Sequence, residues 1–141
     1  MVDGKYALAI VGYGGMGEWH SDLIADFDNL HVYGIYDIEP KRQAYAVKKK
    51  GLRTFRSLDE VLSDPQVDIV LVSTPNDSHK PLAIAAMQAG KNVVCEKPVT
   101  LSSADLQEMI DTAQACKVLF TVHQNRRWDG DYLTMKRIYD A

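Results

Sequence analysis

Apolar runs of strand length alternate with longer mixed stretches from one end of the chain to the other, the pattern of successive βα units feeding a parallel sheet. Tyr6 to Val11 is apolar without a break, as a strand covered on both faces must be, and Val32 to Tyr36 predicts a second strand. A helix from about Met16 to Ala25 joins them. A weaker third strand is expected at Arg53 to Phe55. Behind it, Ser57 and Glu60 have the spacing of a capping box and open a short helix that Pro65 ends. Val67-Asp68-Ile69-Val70-Leu71-Val72, rich in β-branched residues, is the clearest buried strand, and Pro75 stops it.

Lys80 to Ala89 favours helix, with Gly90 where a left-handed cap is wanted. Asn92 to Cys95 reads as strand, Ser102 or Ser103 caps a helix running to about Cys116, and Val118 to Val122 closes the series as a sixth strand. The pattern thus predicts six strands and five helices. Beyond them, Tyr132, Leu133, Met135, Ile138 and Tyr139 recur at helical spacing within Asp131 to Ala141. A helix that stops without a loop or cap reads as the start of further chain, so the sequence is expected to be a piece of a longer protein.

Composition narrows the function classes. With 141 residues, 46% hydrophobic and 25% charged, the chain is expected to bury one ordinary core. A net charge of -3 gives no broad positive field for a phosphate backbone, which argues against nucleic acid as a partner. No apolar stretch approaches the roughly 20 residues that span a bilayer. The start Met1-Val2-Asp3-Gly4-Lys5 lacks the run of a signal peptide, so a cytoplasmic protein without a membrane partner is expected. Cys95 and Cys116 are expected to stay reduced. His20, His31, His79 and His123 show no metal-ligand spacing, so no protein-held metal is expected.

The strongest local feature is Gly12-Tyr13-Gly14-Gly15-Met16-Gly17, a GxGxxG pattern directly after the first strand and at the start of a helix. Gly12 permits a tight turn, Gly14 lets a pyrophosphate approach the backbone, and Gly17 lets the helix lie close on the strand. Orphan N–H groups and the helix dipole make such a terminus an anion site. A plain glycine-rich turn is the bland alternative, but the flanking strand, the helix and Asp37 agree on a dinucleotide. Asp37 ends the second strand, 20 residues past Gly17, where a carboxylate accepts hydrogen bonds from the adenosine ribose hydroxyls. That favours NAD over NADP, although Lys41 and Arg42 follow closely enough to pair with a 2′-phosphate. Lys48-Lys49-Lys50 reads as a solvated helix face.

Ligands of an open doubly wound sheet sit beyond the carboxyl ends of its strands. The fourth strand ends in Ser73-Thr74-Pro75-Asn76-Asp77-Ser78-His79, a polar loop placed to border the nicotinamide ribose, and the fifth ends in Glu96-Lys97-Pro98. A lysine beside a bound cofactor can pass a proton to or from a substrate hydroxyl if burial or positive charge lowers its pKa. From the residues alone, an ordinary exposed lysine is as ready a reading.

Together the glycine loop, Asp37, Thr74-Pro75-Asn76 with His79, Glu96-Lys97-Pro98 and Asn125-Arg126-Arg127-Trp128 resemble the family of glucose-fructose oxidoreductase, inositol dehydrogenase and MocA over the whole chain. The resemblance implies a six-stranded Rossmann sheet in order 3-2-1-4-5-6 over residues 1–125, with 126–141 starting the connection to a substrate domain absent from this chain. It implies hydride transfer between nicotinamide and a sugar, polyol, inositol or related substrate. Lys97 would be the catalytic lysine, Glu96 would help hold the cofactor and position that lysine, Pro98 would fix the turn that aims it, and Asn125 to Trp128 would lie at the active-site edge. The cofactor-binding set expected is Gly12, Tyr13, Gly14, Gly15, Met16, Gly17, Asp37, Ser73, Thr74, Pro75, Asn76, His79, Glu96 and Lys97.

Such enzymes carry a second, largely β domain with a further catalytic His or Asp, and nothing here matches it. His123 belongs by chain position to the nucleotide domain. The chain alone is therefore expected to bind cofactor with little or no turnover. Its uncovered face is expected to favour a homo-oligomer. A non-catalytic dinucleotide sensor is the alternative from another class, and a Rossmann-like methyltransferase a third; Glu96-Lys97-Pro98 argues for the enzyme, since a sensor has no use for a proton donor near the nicotinamide.

Overall fold

In the computed structural model, which describes residues 4–141, five parallel strands form one sheet in the order β2-β1-β3-β4-β5. The strands are β1 (Tyr6–Val11), β2 (Leu30–Tyr36), β3 (Ile69–Val72), β4 (Asn92–Cys95) and β5 (Phe120–Val122). Six helices connect or follow them: α1 (Gly15–Ile24), α2 (Pro40–Lys50), α3 (Leu58–Ser63), α4 (His79–Gln88), α5 (Ser103–Cys116) and α6 (Gly130–Tyr139).

Alternation along β1 divides the core into two layers. Leu8 and Ile10 pack with Ile24 of α1, Ala46 of α2, Ile35 and Leu71 on one face. Ala9 and Val11 pack with Val61 of α3, Ala83 and Met87 of α4, and Met109 and Ala113 of α5 on the other. Continuous apolar strands are what a sheet clothed on both faces requires. The order reverses between β1 and β3, which pair side by side although α1, β2, α2 and α3 separate them in sequence. That reversal leaves a crevice at the carboxyl ends of β1 and β3, the switch point where such sheets bind ligands.

The expected third strand at Arg53 to Phe55 is not a strand, so the sheet has five strands rather than six. Ile35 N–H donates to Arg53 O and Phe55 N–H to Ile35 O, a single parallel bridge between Ile35 and Thr54. The segment lies between Gly51, the left-handed cap of α2, and Ser57, whose side chain caps α3, and these two caps leave no length for more pairing. The bridge nevertheless occupies the edge where that strand was placed, so the rest of the predicted order stands. β5 is likewise shorter than predicted: Lys117 is the left-handed cap of α5 and Val118 N–H still bonds back to Ala113, so pairing with β4 begins at Phe120.

Candidate functional site

The glycine loop stands at the switch point because two of its residues tolerate contacts that no side chain would. Gly12 has φ +92°, and a Cβ there would lie 2.7 Å from Thr74 Cγ2 and 2.8 Å from the Ser73 carbonyl carbon and oxygen. Only glycine lets β1 turn this close to the end of β3. A Cβ on Gly17 would run into the Gly12 carbonyl oxygen, so α1 starts directly against the turn. Gly14 and Gly15 are bare on the open side. A Cβ on Gly15 meets nothing within 4 Å, and one on Gly14 meets only the Arg42 guanidinium, 3.2 Å away.

Gly14 caps α1 without a side-chain hydrogen bond. Among the described residues, no protein acceptor faces the N–H groups of Gly14, Gly15, Met16 or Gly17. These are the orphan donors of the helix start, at the positive end of its dipole. Tyr13 serves otherwise: its N–H donates to Asp37 Oδ2 at 2.7 Å, and its ring is buried with its hydroxyl 2.9 Å from Ser21 Oγ. Burial pushes the Tyr13 phenol pKa up.

Asp37 is 4% exposed. Its Oδ1 accepts from Glu39 N–H at 2.8 Å, and Arg42 Nη1 lies 3.5 Å from Oδ2. The carboxylate therefore fastens the glycine loop to the turn after β2, and each oxygen keeps a further lone pair for a ligand. It lines a cavity of about 330 Å³ with Gly12, Ile38, Arg42, Thr74 and Pro75. A dinucleotide fits these features: bare amides for the diphosphate, an open side at Gly14 where no side chain stands, and a mostly apolar cavity ending in a carboxylate for the adenosine.

Other predicted residues act on the walls. Ser73 Oγ donates to Gly12 O at 2.7 Å and so buttresses the glycine turn. Thr74 Oγ1 accepts from Ser78 Oγ. Pro75 and Asn76 are exposed at the rim, and Asn76 opens a 3-10 turn. His79 is 1% exposed, with Nε2 2.8 Å from Thr74 O and Nδ1 3.1 Å from Pro98 O. It ties the loop after β3 to the loop after β4, and its ring reaches neither the glycine loop nor open solvent.

At the end of β4 the chemistry changes. Glu96 is 4% exposed, its Oε1 lies 2.7 Å from His20 Nε2 and 2.9 Å from His123 Nδ1, and its Oε2 accepts from Lys97 N–H at 3.1 Å. Burial pushes the Glu96 pKa up, but the hydrogen bonds from His20, Lys97 and His123 outweigh it and hold the carboxyl below its ordinary value. Burial holds the His20 pKa down. An anionic carboxylate follows, placed to accept an N–H from each of the two rings. The three donor atoms lie within 4.8 Å of one another, close enough to share an ion. Their separations of 2.7 and 2.9 Å are those of hydrogen bonds, shorter than the roughly 3.3 Å between tetrahedral zinc ligands with bonds near 2 Å.

Lys97 follows directly, exposed, at a cis Lys97–Pro98 peptide, and among the described residues its ammonium has no partner. Trp128 of the Asn125–Trp128 turn is exposed, while Asn125 and His123 border a shallow hollow over Val94 and Thr121. Sequence reasoning did not single out His20 or Ile38 as site residues. His20 had one signal: it lies three residues past Gly17, on the same side of α1.

The family defined as "Oxidoreductase family, NAD-binding Rossmann fold" (GFO_IDH_MocA) matches residues 6–124. A myo-inositol 2-dehydrogenase of Thermotoga maritima is 32% identical over 92% of this chain and 39% of its own length. A scyllo-inositol 2-dehydrogenase (NADP(+)) of Bacillus subtilis is 36% identical over 93% of this chain and 36% of its own. Among solved structures, an NAD-binding protein from Listeria innocua superposes with a TM-score of 0.92 at 52% identity, over 96% of this chain and 40% of that one. GenD2 from gentamicin A biosynthesis, in complex with NAD, gives 0.89 at 25% identity over 98% of this chain and 40% of that one. The chain spans two fifths or less of the length of these proteins. A bare-amide helix start, a buried carboxylate ending β2 and this match over residues 6–124 place the chain in the GFO_IDH_MocA oxidoreductase family, as its NAD-binding Rossmann fold.

Proposed function

We propose that this chain supplies the nucleotide-binding part of an NAD(P)-dependent oxidoreductase that moves a hydride between nicotinamide and a CH–OH carbon of a sugar, polyol or inositol. The observation that carries it is the row of unpaired amides from Gly14 to Gly17 beside a cavity that ends on Asp37. In this reading residues 1–125 form the cofactor domain and 126–141 lead away from it. The inositol dehydrogenases among the relatives support the substrate class.

The geometry supports the following roles. The amides of Gly14, Gly15, Met16 and Gly17 bind the diphosphate, and Gly12 with Ser73 holds their loop against β3. Asp37 accepts the ribose hydroxyls with its remaining lone pairs, while Thr74 and Pro75 wall the adenosine cavity. Asn76 meets the ligand at the rim, and His79 fixes the two loops between which it lies. Nicotinamide, when bound, gives or takes the hydride. Lys97, exposed at the end of β4, holds or releases the proton of the substrate oxygen, and Glu96 sets its backbone.

Asp37 favours NAD, and Arg42, half-exposed beside both Gly14 and Asp37, can turn to a 2′-phosphate. The exposed side chains of Trp128, Met135, Ile138 and Tyr139 support self-association. No helix of the described residues is long and apolar enough to cross a membrane, and the cytoplasm suits a chain with two free thiols. Fluorescence titration tests the reading: saturable NADH binding, with S-adenosylmethionine not competing, supports it. Binding of S-adenosylmethionine without NADH overturns it, and in the full-length protein a Lys97→Ala variant that keeps NADH binding but loses turnover separates an enzyme from a sensor.

A further inference from the structure

We propose that His20 and His123 are positioning residues that clamp the Glu96 carboxylate and thereby couple the glycine loop to Lys97. The inference rests on the reading of Lys97 given above, and goes beyond it by naming what holds that lysine. Three elements converge on one carboxylate. His20 comes from α1, one turn past the glycine loop, His123 from the end of β5, and the Lys97 N–H from the end of β4.

The geometry is that of a device with little slack. Both imidazoles reach the same oxygen, Oε1, leaving Oε2 for the Lys97 amide. The two rings meet edge to face with centroids 4.6 Å apart, and the Trp19 ring covers them at 5.0 Å from His20 and 5.7 Å from His123. His20 and Glu96 are 5% and 4% exposed, so water does not replace a lost donor easily. A carboxylate fixed by two rings has one orientation, and the peptide that bonds its other oxygen inherits it. Because His20 lies on the helix whose first amides face the diphosphate, ordering the glycine loop also orders the seat of Lys97.

A purely structural role predicts loss of stability alone, so the test follows the Lys97 amide directly by 15N–1H NMR, without cofactor. In His20→Ala the Lys97 cross-peak moves and broadens, because Glu96 loses one anchor. In His20→Gln, whose amide nitrogen can reach the position of Nε2, it returns toward the wild-type position, and His123→Asn does the same for Nδ1 relative to His123→Ala. Addition of NADH shifts the Lys97 peak in the wild type and in the Gln and Asn variants, with a response less than half as large in the Ala variants. An unmoved Lys97 peak in both Ala variants overturns the clamp, as does failure of Gln and Asn to restore it. If His20→Ala does not fold, His123→Ala, whose side chain is 23% exposed, carries the same readout. Absence of NADH binding to the wild type would contradict the function, whereas the unliganded peak tests the clamp alone.

Discussion

Replacing Gly14 with alanine separates binding from folding. Gly14 has φ -84° and ψ -162°, an extended backbone that any residue adopts. An added Cβ would meet only Arg42 Nη1 at 3.2 Å, the far end of a flexible side chain that is 53% exposed. Alanine is a poorer N-cap than glycine, a loss of about 0.5–1 kcal/mol. At this chain length that lowers Tm by only about 1–4 °C. On the proposed reading the same methyl stands in the path of the diphosphate to the amides, and Gly14→Ala weakens NADH binding at least tenfold, about 1.4 kcal/mol. Gly12→Ala gives the opposite result: φ +92° and the 2.7–2.8 Å contacts with Ser73 and Thr74 combine about 1–2 kcal/mol of backbone strain with about 1–3 kcal/mol of overpacking. NADH fluorescence titration paired with thermal melts reads both. A Gly14→Ala chain that binds NADH as tightly as wild type, or melts as early as Gly12→Ala, would refute the reasoning.

Further outcomes follow from neighbouring groups. Arg42→Ala weakens NADPH severalfold more than NADH in parallel titrations, since the guanidinium faces the cavity beside Asp37; equal losses for both cofactors would remove the proposed role. Asp37→Asn lowers stability by about 1–3 kcal/mol in urea unfolding, because one of the Tyr13 and Glu39 amides loses its acceptor. Acid weakens the fold in two stages of the same sign. His20 is held below its ordinary value of 6.5, so the unfolded chain takes up a proton first and stability falls below about pH 6.5. Glu96 is held below 4.5, and its contribution, complete above that value, disappears as pH falls through the depressed one. Melts between pH 7.5 and 4 should fall less steeply in His20→Gln than in wild type. Cys95 is buried with its thiol pKa pushed up to about 12. At pH 8 roughly one molecule in ten thousand carries its thiolate, and Ellman's reagent should titrate one thiol of the native chain, Cys116, before unfolding exposes the second.

What the sequence made legible was local. The β1 and β4 bounds, the helix cap at Ser102 and the left-handed Gly90 follow from residues that act on their own neighbours. The glycine loop was legible too, because its contacts to β3 and α1 exclude every side chain at Gly12 and Gly17. Arg53 to Phe55 misled because its β-forming residues are too few once the caps at Gly51 and Ser57 are drawn. His79 shows the limit for site residues: its place in a polar loop suggested a ligand contact, yet the fold turns both ring nitrogens to the Thr74 and Pro98 carbonyls. The His20–Glu96–His123 cluster was invisible to spacing rules, because residues 76 and 27 positions apart meet only after α1, β4 and β5 are assembled.

On the proposed function, the backbone amides opening α1 hold the diphosphate of a dinucleotide. An 15N–1H correlation spectrum recorded with increasing NADH addresses it residue by residue. Saturable downfield shifts are expected to concentrate at the Gly14, Gly15, Met16 and Gly17 amides, with smaller changes at Ile38 and Thr74 around the cavity beside Asp37. Shifts that leave those four amides in place and gather elsewhere on the chain would contradict it.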